Sequence, residues 1–190
     1  HAFEKMGLPE PAEGAVRRTV GYLLKDGYTM LTGDSSPERQ EEFVRLFQEK
    51  CRPMQPKTTR LLPGVRALLE ALKAAGVPMG IITSKRDSAL QAVLEALGIR
   101  ELFAITISGD QVHAPKPDPA GLLRAMENLG VTGDEVLYCG DTVIDAETAR
   151  RAGTHFAAVT TGVTPAAAFQ DYPCGYVARD MVDMKAWLGL

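Results

Sequence analysis

The chain has 190 residues, 45% of them hydrophobic and 24% charged, with a formal net charge of -3. This is an ordinary globular composition, enough for one core plus a small appendage. The slight acidity and the lack of a basic stripe interleaved with aromatics exclude a nucleic-acid footprint, and no apolar run approaches membrane-spanning length.

Residues up to about Thr59 read as helical, with no clear strand. One helix is expected from Glu13 to Lys25. Ser36-Pro37-Glu38 starts another, with a cap-type Ser, Pro in the first turn and an acid near the positive end of the helix dipole. Phe43, Val44, Phe47 and Cys51 then supply an apolar stripe at helical spacing. Thr29 to Asp34 reads as a flexible loop, and Arg52 to Lys57, with Pro53 and Pro56, as a linker.

From Leu61 onward, strands and helices alternate. Pro63-Gly64 opens a helix that carries Val65, Leu68, Leu69 and Leu72 on one face and ends at Gly76. Val77 to Ile82 is a strand, Ser88 to Leu97 a helix closed by Gly98, and Phe103 to Ile107 a strand. Asp118-Pro119 starts a helix that ends at Gly130. Glu135 to Cys139 reads as a strand buried on both faces, since nothing in it alternates. A helix with Ala146 and Ala149 on its inner face ends at Gly153. Phe156 to Thr160 is a strand, a short helix begins near Thr164-Pro165, and Tyr176-Val177 is a last short strand. The alternation specifies an α/β fold: a parallel sheet with right-handed helical crossovers.

Three features of this half carry chemistry. Thr83-Ser84 ends a strand in two hydroxyls, which with the following N–H groups could cradle a phosphate. Lys116 stands in a loop stiffened by Pro115, Pro117 and Pro119, a rigid mount for an ammonium facing a phosphate or carboxylate. Asp141 follows Gly140 at a strand end, where open α/β sheets bind ligands, and Asp145 lies one helical turn on. Two hard oxygen donors there suggest Mg²⁺ and a phosphorylated substrate. A simpler reading of Asp141 also stands: a cap for the next helix. The scattered cysteines Cys51, Cys139 and Cys174 suggest neither a disulfide framework nor a zinc site, so a cytoplasmic setting is expected. Cys139 is read as packing in a buried strand.

The order hydroxyl, lysine, paired acids resembles the haloacid dehalogenase superfamily, and in particular its phosphoglycolate phosphatase and pyrophosphatase-like branch. The matching residues are Ile81-Ile82-Thr83-Ser84-Lys85, Lys116 in Lys-Pro-Asp-Pro, and Gly140-Asp141-Thr142 with Asp145, Ala149 and Ala152-Gly153. The resemblance implies a Rossmann-like core over residues 60–190 and a small α-helical cap over residues 1–59, preceded by the tail of a core helix. It implies that Thr83, with Ser84, binds the transferred phosphoryl group and that Lys116 neutralises its charge. Asp141 would ligate Mg²⁺, and Asp145 would order the metal's waters and the lysine. Arg17, with Arg18 on a cap helix, is a weaker candidate for a substrate carboxylate. The implied partner is a small phosphorylated substrate, and the protein would be a monomer or homodimer without nucleic acid or membrane.

The family's first motif, Asp-x-Asp, occurs nowhere in these residues. It carries the nucleophile and the general acid/base on the sheet's central strand. Without that strand two neighbouring strands each bury an unpaired edge, at roughly 1–3 kcal/mol per unpaired group. A domain's whole stability is only about 5–15 kcal/mol. A preceding strand, loop and part of a helix, on the order of 20–25 residues, is therefore expected before His1. The expected activity is a Mg²⁺-dependent phosphatase working through an aspartyl-phosphate. The alternatives are an inorganic pyrophosphatase of the same family and, for a complete chain, an inactive phosphate-binding module.

Overall fold

Local signals set most helix boundaries, and apolar faces decide where the helices dock. The protein is described by a computed structural model covering residues 1–190. It divides into two units, His1–Thr59 and Arg60–Leu190.

The first unit is all helical: α1 (Ala2–Lys5), α2 (Glu13–Arg17), α3 (Leu24–Thr32), α4 (Pro37–Cys51) and α5 (Gln55–Thr58). Its core gathers Ala2, Met6, Tyr28, Phe43 and Leu46. Phe43 is the hub, with ring centroids 5.3 Å from Tyr28, 5.8 Å from Phe3 and 6.0 Å from Phe47. α3 and α4 form a hairpin. Gly33 ends α3 at φ +75, a left-handed conformation that costs glycine little. Asp34 then clamps the turn, accepting from Ser36 N at 2.8 Å and from the Tyr28 hydroxyl at 3.0 Å.

Three expectations fail in this unit. The helix foreseen over Glu13–Lys25 breaks after Arg17 and resumes at Leu24. Gly21, at φ +96, lies in the break, a backbone conformation outside any helix. Thr29 to Thr32 is helix rather than loop, and Gln55–Thr58 is a helical turn rather than a plain linker. Ser36 occupies the N-cap position of α4 but its side chain makes no capping bond.

The second unit alternates as expected. It runs α6 (Val65–Ala74), β1 (Gly80–Ile82), α7 (Asp87–Leu97), β2 (Ile105–Ile107), α8 (Ala120–Leu129), β3 (Leu137–Gly140), α9 (Val143–Ala152), β4 (His155–Val159), β5 (Tyr176–Ala178) and α10 (Met181–Trp187). All pairings are parallel: Ile81 beside Thr106, Tyr138 beside Phe156, and Ala158 beside Val177. The strands form two ladders, β1-β2 and β3-β4-β5. β1 pairs with β2 alone and β3 with β4 alone, so each keeps an edge outside any ladder. α8 joins the halves, because it packs on β1, β2 and α9.

Period-two alternation separates the two faces of the larger ladder. Tyr138, Phe156, Ala158 and Val177 join Leu122, Met126, Ala146, Ala149 and Phe169, with Ile82 of β1 against the cluster. On the other face Ala157, Ala178 and Tyr176 meet Leu68, Leu72 and Met184 of α6 and α10. Alanines on β4 and β5 let the helices approach closely; Ala157, Ala158 and Ala178 are 0% exposed.

β3 departs from expectation. It alternates in burial, with Leu137 and Cys139 exposed and Tyr138 buried. Tyr138 joins the core cluster, whereas Cys139 is exposed as a residue rather than packed in it, although burial still pushes its thiol pKa up to about 11. α10 was not foreseen; Asp180 caps it by accepting from the Val182 and Asp183 amides.

One surface cluster yields a pH test. Glu147 of α9 accepts from Arg150 at 2.7 Å and Arg151 at 2.6 Å. The bonds from Arg150, then those from Arg151, lower its carboxyl from the ordinary 4.5 to about 2. A lowered folded-state pKa adds stability above the ordinary value and loses it as pH falls through the folded value. In thermal melts the deficit of Glu147→Gln against the parent is expected to be largest above pH 4.5 and to close as pH approaches about 2.

Candidate active site

β3 ends at Gly140, and the chain turns directly into α9. Thr142 is the N-cap of α9, so the capping role considered for Asp141 belongs to its neighbour. Thr142 and Asp145 form a reciprocal capping box: the Thr142 hydroxyl accepts from Asp145 N at 3.2 Å, and Asp145 Oδ2 accepts from Thr142 N at 3.2 Å. The Thr142 hydroxyl also donates to Oδ2 at 2.6 Å. The box fixes the Asp145 rotamer and aims Oδ1 away from the helix.

Oδ1 takes two donors. Lys116 Nζ lies 2.6 Å away, and the Tyr138 hydroxyl donates at 3.2 Å. The ion pair is nearly dry, with side-chain exposures of 15% for Lys116 and 6% for Asp145. Burial, then the Asp145 charge, push the Tyr138 hydroxyl well above its ordinary pKa. It therefore remains a donor. Lys116 arrives from the loop before α8, whose first turn is pinned by Asp118 accepting from Ala120 N at 2.9 Å.

Asp141 is half-buried beside this pair. Burial, then the Asp145 charge, raise its carboxyl pKa, while Lys116 opposes the rise. A cation at Asp141 would relieve that strain on the charged form. Two glycines make the room: a Cβ at Gly140 would overlap Asp145, and one at Gly162 would overlap the Asp141 carboxylate.

Thr83 and Ser84 lie at the end of β1. Thr83 N continues the ladder by donating to Ile107 O at 3.0 Å, and Lys85 N donates to the Thr83 hydroxyl at 3.1 Å. Hydrogen bonds thus tie Lys116 directly to Asp145, and charge couples Asp141 to both. No bond links Thr83 to that cluster. Arg17 sits in the helical unit, on α2, in an exposed pair with Glu13 at 2.7 Å. Tyr138 was not foreseen as a site residue, because its position in the strand reads as core. Thr142-x-x-Asp145 was legible as a capping box with a shortened acid.

No group of three or more His, Cys, Asp or Glu side chains is arranged to hold a metal. A Mg²⁺ ion needs only one or two carboxylates, with waters completing its shell. Asp141 suits that contribution; both oxygens of Asp145 already hold donors.

The family model of the haloacid dehalogenase-like hydrolases matches residues 1–159. The chain belongs to that family. A phosphoglycolate phosphatase of Nitrosospira multiformis is 31% identical over 184 residues, covering 94% of this chain and 80% of the relative. An N-acetylmuramic acid 6-phosphate phosphatase of Pseudomonas aeruginosa is 33% identical over 184 residues, covering 93% of this chain and 77% of the relative. The crystal structure of a haloacid dehalogenase-like hydrolase from Bacteroides fragilis superposes with a TM-score of 0.92 at 32% identity, covering 96% of this chain and 87% of that one. This haloacid dehalogenase-like chain is a hydrolase of phosphoric monoesters.

Gly140→Ala tests the packing around Asp145. The added methyl is expected to displace the carboxylate from Lys116 and cost about 1–3 kcal/mol, read as a lowered urea midpoint.

Proposed function

We propose that the protein is a Mg²⁺-dependent phosphatase of small phosphorylated metabolites, of the phosphoglycolate kind, that works through an aspartyl-phosphate. The observation that carries the reading is the nearly dry Lys116–Asp145 pair beside the half-buried Asp141 at the end of β3. Relatives at about this identity named as phosphoglycolate phosphatases support the substrate class.

Phosphoryl transfer is catalysed mainly by positioning and by neutralising charge on the phosphoryl oxygens. Lys116 supplies one fixed positive charge, and Asp145 with Tyr138 holds it in place. The Thr83 hydroxyl, which accepts from the Lys85 amide, donates its O–H to a phosphoryl oxygen. Asp141 would hold Mg²⁺, which when bound adds charge neutralisation at the transferred group. The nucleophilic carboxylate would come from a strand pairing into the open edges of β1 and β3, from sequence before His1. No helix is long and apolar enough to cross a membrane.

The relative named for N-acetylmuramic acid 6-phosphate favours a second substrate class, a sugar phosphate. A panel of phosphoglycolate, sugar 6-phosphates and pyrophosphate assayed on the full-length protein separates these classes. The same protein is expected to hydrolyse an aryl phosphate with Mg²⁺ and not with EDTA. Asp141→Asn and Lys116→Ala are each expected to lower kcat by about 10²-fold or more. Activity that survives both substitutions would overturn the assignment.

A further inference from the structure

The loops after β1 and β2 run side by side and are tied together more heavily than two surface turns require. Thr83 N donates to Ile107 O and Gly109 N to Lys85 O, both at 3.0 Å. Gly109 lies so close that a Cβ there would stand 2.7 Å from Ser84 O. Asp110 completes the tie. Its Oδ1 accepts from Asp87 N at 2.9 Å, the first amide of α7, and from the Ser108 hydroxyl at 2.7 Å. The N-cap residue of α7, Arg86, offers no side-chain cap of its own. An acid from another loop therefore caps this helix.

Ser108 is 0% exposed. Its amide donates to Gln111 Oε1 at 3.1 Å, so the brace is itself held from behind. The Arg86–Asp110 ion pair, at 3.5 Å, is half-exposed and adds little. Bonds at Oδ1 bear the load. The Ser108 hydroxyl does most to hold the Asp110 carboxyl below its ordinary pKa; burial opposes it, and the Asp87 amide adds to the lowering.

From this geometry we infer that Asp110, seated by Ser108 and Gly109, is a positioning residue for phosphate binding: it fixes the Thr83–Lys85 turn so that the Thr83 hydroxyl, which accepts from the Lys85 amide, turns its O–H toward one phosphoryl group. Asp110 itself touches no substrate. The inference rests on the reading of Thr83 as a phosphate ligand.

The test is a double-mutant cycle on the full-length protein, with kcat/KM for an aryl phosphate and competitive inhibition by inorganic phosphate as readouts. Asp110→Ala is expected to raise the phosphate inhibition constant and lower kcat/KM by about 10-fold, the scale of a small misplacement of a binding group. Thr83→Ala should do the same, and the double variant should be no worse than Thr83→Ala within about 2-fold, since the two act on one contact. A purely structural role for Asp110 would instead multiply the two losses, and that outcome overturns the inference.

Asp110→Asn keeps an acceptor for the Asp87 amide and is expected to shift the constant by only about 3-fold. If Asp110→Ala does not fold, this variant decides: a shift present with Thr83 and absent in Thr83→Ala supports the brace, and no shift overturns it. An unchanged phosphate constant in Thr83→Ala removes the premise and counts against the phosphate-site reading. A changed constant in Thr83→Ala with none in Asp110→Ala overturns the brace alone.

Discussion

Burying a carboxylate costs several kcal/mol unless donors replace its water, and Asp145 meets that condition completely. Lys116 and Tyr138 satisfy one oxygen, and the Thr142 amide and hydroxyl satisfy the other. The donors come from three different pieces of the fold: a proline-braced loop, β3, and the N-cap of α9. The carboxylate therefore registers strand, helix and loop against one another. It also holds the ammonium of Lys116 at a set place instead of leaving it to wander as a solvated charge. Gly140 is part of the same constraint, because any side chain there would occupy the space of Asp145.

The same logic of fixing one group through another governs the far side of the unit. Parallel strands β1 and β2 deliver two turns to neighbouring positions, and close backbone approach at Gly109 lets them bond directly. α8 packs on β1, β2 and α9 and carries the Lys116 loop at its start. The Thr83 turn and the acidic end of β3 are thus hung from one helix. A haloacid dehalogenase-like site is assembled from loops, yet each of its loops leaves a strand or enters a helix that is buried on at least one face.

Much of the candidate site was legible because its signals are local. A strand ending in Thr-Ser, a lysine between prolines, and Gly-Asp followed by an acid one turn later each have a short-range physical reason. Other features were not legible. The break at Gly21 is masked in the sequence because the surrounding residues keep a helical pattern. β3 reads as doubly buried in sequence, but only its Tyr138 face meets helices, which leaves Cys139 exposed. Tyr138 reads as a core aromatic, and its hydroxyl acquires a role only because Asp145 turns back toward the strand. Asp110 gives no signal at all, since its partner Asp87 lies on a different element.

Sequence alone determined the class of the fold, the alternation of strand and helix, and the chemical kind of the site, because periodicity, capping and turn chemistry act over a few residues. Only the tertiary structure decided that Lys116 and Tyr138 join Thr142 in satisfying Asp145, which face of β3 is covered, and which acid caps α7. The Lys116–Asp145 and Asp87–Asp110 contacts join residues far apart in the chain, and their geometry depends on how the packed layers set one loop beside another.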